Sequence, residues 1–299
     1  MSDLYEKMTA YCEVRCDVPL SSLTTLRIGG TARYVACPGS LVALDGLMRV
    51  LAEEKAAWKI FGKGSNLLCS DDAYDGVIIK LDSGFTHSYF EGDLLTAEAG
   101  ASIIALASEA MRHSLSGLEF ACGIPGTLGG ALFMNAGAYK ASMADLTEEV
   151  LVYRDGRFEW FKGEDCHFGY RCSDFQKHSD WIILGARLRL KPGIQQEISA
   201  LMADRKERRM NTQPLNYPSC GSVFRNPEGH FAWKLIDGIG YRGKRKGGVL
   251  VTEKHPNFIV NENEATAQDY IEMVEEIRAL VKENFGVDLK TEMELFNWH

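Results

Sequence analysis

An α+β fold of roughly two or three domains is predicted for this 299-residue chain on three observations. Short strands and helices alternate through its first third. Two β-prone runs meet at an Asp-Gly pair in its middle. A capped amphipathic helix near the end runs into an alternating strand. The composition agrees, since 45% hydrophobic and 25% charged residues are those of a globular protein able to bury a core.

In chain order, ARYVACP (32–38) reads as a strand, followed by a helix from Leu41 to about Ala57 with Ser40 as N-cap. Leu44, Leu47, Met48 and Leu51 share one face of that helix. WKIFGKGSNLL (58–68) reads as a strand entering a glycine-rich turn, GVIIKL (76–81) as another strand, and LLTAEAG (94–100) leads to a helix over 102–113. EVLVYR-DG-RFEWFK (149–162) is a hairpin signal, because Asp155-Gly156 suits a type I′ turn. A strand in WIILGARLRLKP (181–192) and a charged helix over roughly 194–210 follow. Thr266 caps a helix over 267–285 that Gly286 ends, with Tyr270, Val274, Ile277, Val281 and Phe285 as its apolar face. In VDLKTEMELF (287–296), alternation predicts Val287, Leu289, Thr291, Met293 and Leu295 on one side, and Asp288, Lys290, Glu292, Glu294 and Phe296 on the other.

A net charge of -8 argues against bulk nucleic-acid binding. No apolar run approaches the length of a membrane span, and MSDLYEKMTAYCEV lacks an export signature, so a soluble cytoplasmic chain is expected. The eight cysteines are scattered, which favours reduced thiols and no metal.

Two glycine-rich segments carry the first chemical signal. GKGSNLL (Gly62, Lys63, Gly64, Ser65, Asn66, Leu67, Leu68) follows a strand, and its successive amides could form a nest for phosphate oxygens. It matches neither a Walker loop nor GxGxxG, and an ordinary turn remains an alternative. GIPGTLGGALFMNAGAY (123–139) contains Gly123, Ile124, Pro125, Gly126, Gly129, Gly130, Asn135, Ala136 and Gly137. A run this poor in bulky side chains brings backbone against a flat ligand, and two such loops imply a large phosphate-bearing cofactor.

PSCGSVFRNP (218–227) holds Ser222 in a turn, GYRCSDF (169–175) carries Arg171, and Glu292 stands on the polar side of the last strand. Singly, each reads equally as a turn serine, a loop arginine or a solvated carboxylate. The cluster Lys234, Arg242, Lys244, Arg245, Lys246 reads either as a solvated face or as a pocket for an anion.

Together with TTLRIGGTA (24–32) and KHPNFIVN (254–261), these segments resemble, in order, the UDP-N-acetylenolpyruvoylglucosamine reductases of bacterial cell-wall synthesis. The resemblance covers nearly the whole chain. It implies an FAD-binding region of the vanillyl-alcohol-oxidase (PCMH) type over 1–200, in two subdomains split near residue 83, and an α+β substrate domain over 201–299. The polar MNTQPLNYPS stretch marks the transition.

It further implies non-covalent FAD bound by the two glycine-rich segments, NADPH as co-substrate, a UDP-sugar substrate and a monomeric chain. Arg171 and Glu292 would stabilise the developing negative charge, and Ser222 would supply a proton. Tyr170, Gln213, Asn226 and Lys234 would contact substrate. An oxidase of the same fold acting on another substrate is the alternative. Two departures stand out: Asn226-Pro227 leads into HFAWKLID without the long insertion of one subclass, and Trp233 occupies a position where glycine is usual. Glu294 is the fallback for Glu292.

Overall fold

The computed structural model describes residues 3–298; Met1, Ser2 and His299 lie outside the described residues. The chain packs into two compact units, neither continuous in sequence. The first takes the chain to Cys16, Tyr34–Lys63 and Gly76–Arg208. The second takes Asp17–Arg33, Gly64–Asp75 and the chain from Arg209 on.

Trp58–Phe61 pairs in parallel with Tyr74–Lys80, with Trp58 opposite Val77. These belong to a four-stranded sheet ordered Glu13–Pro19, Thr31–Cys37, Tyr74–Lys80, Trp58–Phe61. The Leu41–Glu53 helix begins where expected, since Ser40 Oγ accepts the Ala43 amide, and it ends four residues short of Ala57. Its Leu44, Leu47, Met48 and Leu51 are buried. A helix over Asp3–Thr9, which buries Met8, carries no signal in the polar opening of the sequence.

An antiparallel sheet lying wholly in the first unit is ordered Arg157–Lys162, Thr147–Arg154, Ile182–Arg189, Leu94–Glu98, Ser88–Glu91. Arg154 faces Arg157, and Asp155 and Gly156 both hold positive φ (49° and 71°), as a type I′ turn requires. Val150, Val152, Leu184, Ala186, Leu188, Leu95 and Ala97 line the core. The Ile103–Arg112 helix adds Ile103, Leu106, Ala107 and Ala110 at helical spacing.

The second unit is built around the Ala267–Phe285 helix. Its start is a capping box: Thr266 Oγ1 accepts the Asp269 amide (3.0 Å), and Asp269 Oδ2 accepts the Thr266 amide (3.1 Å). Gly286 closes it with φ 69°. Tyr270, Val274, Ile277 and Val281 are buried as predicted, whereas Phe285 at the helix end is 44% exposed and lies beside Gly238.

The final alternation is corrected. Only Glu294–Phe296 forms a strand, parallel to Leu67–Cys69. A bend at Glu292 and Met293 resets the phase, so Phe296 is buried while Leu295 is 49% exposed. A strict two-residue period cannot survive a bend, because each strand side alternates only while the pleat continues.

Replacing Thr266 by Ala should cost about 1 kcal/mol of stability, read as a lower urea midpoint with unchanged slope. Burial tends to raise the Asp269 pKa, but amide donation from Thr266 and Gly248 outweighs this and lowers it. Its contribution is therefore present above the unfolded-state value of about 3.9 and lost as pH falls through the lower folded one. The parent's advantage over Asp269→Ala should shrink progressively as pH falls below about 4, through the lowered folded value; an advantage that stays constant as pH falls through that range would show that the Asp269 carboxylate does not supply it.

Candidate active site

Several of the predicted site segments are tied to other parts of the chain by side-chain hydrogen bonds. In the second unit, the SVFRN segment runs against the residues before the final strand. The Arg225 amide donates to the Lys290 carbonyl (2.9 Å), and the Glu292 amide donates to the Val223 carbonyl (2.7 Å). Half-buried Ser222 and Glu292 therefore lie on paired segments. Asn257, buried in KHPNFIVN, grips Phe224 on both sides: its Oδ1 accepts the Phe224 amide (3.0 Å) and its Nδ2 donates to the Phe224 carbonyl (2.8 Å). Thr25 of TTLRIGG exchanges hydrogen bonds with Ser219.

Asn66 of the first glycine-rich loop donates through Nδ2 to the Glu292 carbonyl (3.0 Å), and its own carbonyl accepts the Glu294 amide (2.9 Å). Gly64 accepts the Thr25 amide (3.2 Å) through its carbonyl. In a trans peptide the following N–H points the opposite way, so the Ser65 amide projects away from Thr25. Gly64 has φ 61°, and a Cβ there would stand 2.3 Å from the Leu23 carbonyl oxygen. In the first unit, Lys80 Nζ donates to the Gly62 carbonyl (2.6 Å) and pairs with Asp82 (3.1 Å), which by the same geometry turns the Lys63 amide away.

The second glycine-rich loop lies wholly in the first unit. Thr127 caps a short Leu128–Phe133 helix, its Oγ1 accepting the Gly130 amide (3.3 Å). The glycines divide into two kinds. Gly129 and Gly137 are pressed on protein, where a Cβ would sit 3.0 Å from Ala99 Cβ and 2.5 Å from the Ala141 oxygen. Gly126 and Gly130 meet nothing nearer than 3.8 and 3.5 Å, leaving bare backbone for a ligand. Ile124 and Ala136 are half-buried and donate their amides to Ala121 and Ala131, while Pro125 is exposed and Gly123 half-buried. Asn135 is buried; its Oδ1 accepts the Ala144 amide (2.9 Å) and its Nδ2 donates to the Gly169 carbonyl (2.8 Å). Arg171 occupies a left-handed conformation (φ 56°), and its guanidinium donates to the Gly137 carbonyl (2.9 Å) and faces the Tyr170 ring.

Among the remaining predicted contacts, Asn226 Oδ1 accepts the Ala232 amide (3.0 Å) at the start of the Ala232–Gly238 helix. Lys234 holds its ammonium 5.3 Å from the Phe231 ring and 5.6 Å from the Trp233 ring. Trp233 thus leaves this helix intact. The carboxamide oxygen of Gln213 is buried without a partner, as are Thr24 Oγ1 and Arg225 Nε. A buried polar atom left unpaired costs about 1–3 kcal/mol, so these atoms suit ligand contact. Thr24 and Arg225 escaped the sequence reading although both lie inside segments it singled out.

The basic stretch is largely neutralised: Arg242 pairs with Asp237, Arg245 with Glu262, and Lys246 with Glu272 and Glu276. Burial pushes the Cys220 thiol up to about 11, and its sulfur lies 3.2 Å from the Tyr270 hydroxyl. A thiol so raised is a poor nucleophile.

Comparison with known proteins decides the family. UDP-N-acetylenolpyruvoylglucosamine reductase 1 of Bacillus cereus is 40% identical over 278 residues, covering 93% of this chain and 92% of that protein. The chain belongs to the UDP-N-acetylenolpyruvoylglucosamine reductase family. The family's C-terminal domain matches residues 213–296, and an FAD binding domain matches residues 32–158. The Bacillus subtilis reductase is 38% identical, covering 95% of this chain and 94% of that one. The crystal structure of the Thermus caldophilus reductase superposes with a TM-score of 0.83 at 35% identity, covering 96% of this chain and all of that one. Among the described residues no helix is long and apolar enough to cross a membrane.

Gly64→Ala should cost more than Gly92→Ala, a position of similar φ (63°) with open space around it. The control should lose about 1 kcal/mol from backbone strain alone, and Gly64→Ala several. Equal urea midpoints for the two variants would show that close approach is not why Gly64 is glycine.

Proposed function

We propose that this chain reduces UDP-N-acetylenolpyruvoylglucosamine to UDP-N-acetylmuramate for peptidoglycan synthesis, using non-covalent FAD and NADPH as reductant. The observation that carries the reading is similarity to reductases of this name over nearly the whole chain, including both the FAD binding and C-terminal domains. The bare backbone at Gly126 and Gly130 fits a flat, phosphate-bearing cofactor. FAD would be held by Gly62–Leu67 and by Gly123–Gly137, mainly through backbone, since Asn66 and Asn135 already serve protein carbonyls. In this reading the enzyme works in the cytoplasm as a monomer, on a UDP-sugar and NADPH, with no nucleic-acid or membrane partner.

When bound, FAD would supply hydride chemistry, with NADPH as the reductant. The chain's own groups manage the charge and proton that follow. Hydride addition to the terminal methylene of the enolpyruvyl ether places negative charge on the neighbouring carbon and its carboxylate. The Arg171 guanidinium, and Glu292 acting as a hydrogen-bonding acid, are assigned to stabilise that charge. Ser222 is assigned to deliver the proton to the same carbon, completing the lactyl ether. Its segment suits this role because Asn257 and the Glu292 amide fix its neighbours Val223 and Phe224. Tyr170, Gln213, Asn226 and Lys234 are assigned to the substrate; the unpaired Gln213 oxygen supports a polar ligand, and Lys234 a phosphate.

Purified protein should be yellow, bleach with NADPH under anaerobic conditions, and regain colour with the enolpyruvyl sugar nucleotide. Colourless, flavin-free protein would refute the reading, and recovery only with oxygen would favour an oxidase. Ser222→Ala should bleach near the parent rate yet slow the sugar-nucleotide step by about 10²- to 10⁴-fold, measured by stopped-flow absorbance. Equal loss of both steps would remove Ser222 from its assigned role.

A further inference from the structure

Arg171 is the third residue of a tight turn closed by paired hydrogen bonds between Gly169 and Cys172 (2.9 and 3.2 Å). With φ 56° at that position the turn is of a kind that glycine or asparagine ordinarily fills. An arginine persists there only if its surroundings over-determine it. They do so from both flanks. Asn135 Nδ2 donates to the Gly169 carbonyl on one side (2.8 Å). On the other, Gln176 Nε2 lies 3.2 Å from the Arg171 carbonyl and 3.0 Å from the Phe133 carbonyl.

Phe133 ends the short helix of the second glycine-rich loop. The two amide hydrogens of Gln176 thus join the carbonyl of the left-handed arginine to the last carbonyl of that helix. A carboxylate could not make either bond, and an alkyl side chain could make neither. Ser173 Oγ donates to the same Phe133 carbonyl (2.7 Å), so the helix end is anchored even without Gln176. Beyond that shared anchor, Gln176 adds the bond to Arg171 and a 3.4 Å contact from Nε2 to Met134 Sδ.

We propose that Gln176 is a positioning residue for Arg171: its carboxamide holds the arginine's backbone in the left-handed turn and ties that turn to the glycine-rich loop. This rests on the role assigned to Arg171 above. Gln176 touches neither substrate nor cofactor in this account. Its loss should leave reduction by NADPH intact and weaken only the step in which negative charge develops on the substrate.

The test uses the flavin-loaded full chain as parent, Gln176→Met and Gln176→Glu. Bleaching by NADPH should proceed near the parent rate in both variants. Reoxidation by UDP-N-acetylenolpyruvoylglucosamine should slow by about 10- to 100-fold in Gln176→Met, the scale expected when a charged group is misplaced by about an ångström. Gln176→Glu should be equally slow at neutral pH. It should then gain on Gln176→Met as pH falls towards the ordinary carboxyl range, near 4–5, because a protonated carboxyl regains a donor. Hydrogen exchange read by mass spectrometry should show residues 169–172 opening faster in Gln176→Met.

Parent-like reoxidation in both variants, equal loss in both steps, or no pH-dependent gain of Gln176→Glu over Gln176→Met would each overturn the proposal. A parent enzyme that the sugar nucleotide cannot reoxidise would instead overturn the functional reading. The exchange measurement then judges the clamp alone, and unchanged exchange at 169–172 would reject it.

Discussion

The local structure of this protein depends on buried and half-buried carboxamides that satisfy the backbone of irregular loops. A loop removed from water must find partners for its N–H and C=O groups, and a neighbouring loop cannot offer the regular ladder of a sheet. Asn and Gln solve this because one side chain can donate and accept at once. Asn257 closes a two-way bridge on Phe224, and Asn135 accepts from Ala144 while donating to Gly169. Asn66 donates to the Glu292 carbonyl, and Gln176 bridges Phe133 and Arg171. The segments carrying Ser222, Glu292 and Arg171 are thereby fixed without belonging to any long strand.

That arrangement explains why the glycine-rich loops carry asparagines. Glycine strips the backbone so that a ligand or another chain segment can approach, and an asparagine nearby restores a fixed hydrogen bond. At Gly64 and Gly137 the approach is by protein itself, with carbonyl oxygens where a Cβ would stand. At Gly126 and Gly130 a Cβ would meet only side-chain atoms at ordinary contact distance, 3.8 and 3.5 Å away. One composition therefore serves two purposes, close packing and exposure of bare backbone, and the sequence does not distinguish them.

Charge is distributed with similar economy. The basic run near residue 245 forms ion pairs with acidic neighbours, so it presents little net charge to solvent. Such exposed pairs contribute little stability. Lys234 stands apart in lying over aromatic rings. The buried thiols, among them Cys69 and Cys166 pushed up to about 12, behave as small apolar groups.

Local signals were legible directly. The Asp155-Gly156 turn, the Ser40 and Thr266 caps and the Gly286 stop each depend on a few adjacent residues, and each forms where the sequence places it. The order of the motifs was enough to point to the family. The sequence could not reveal the bend that breaks the final alternation, nor that Asp17–Arg33 and Gly64–Asp75 pack with the C-terminal third. Nor could it show that Asn66 and Asn135 spend their side chains on Glu292 and Gly169, 226 and 34 residues away. Turn and cap chemistry is written in neighbouring residues because it acts over one turn of backbone. The partner of such a carboxamide is chosen by whichever distant carbonyl the tertiary structure brings within reach, and only folding decides that.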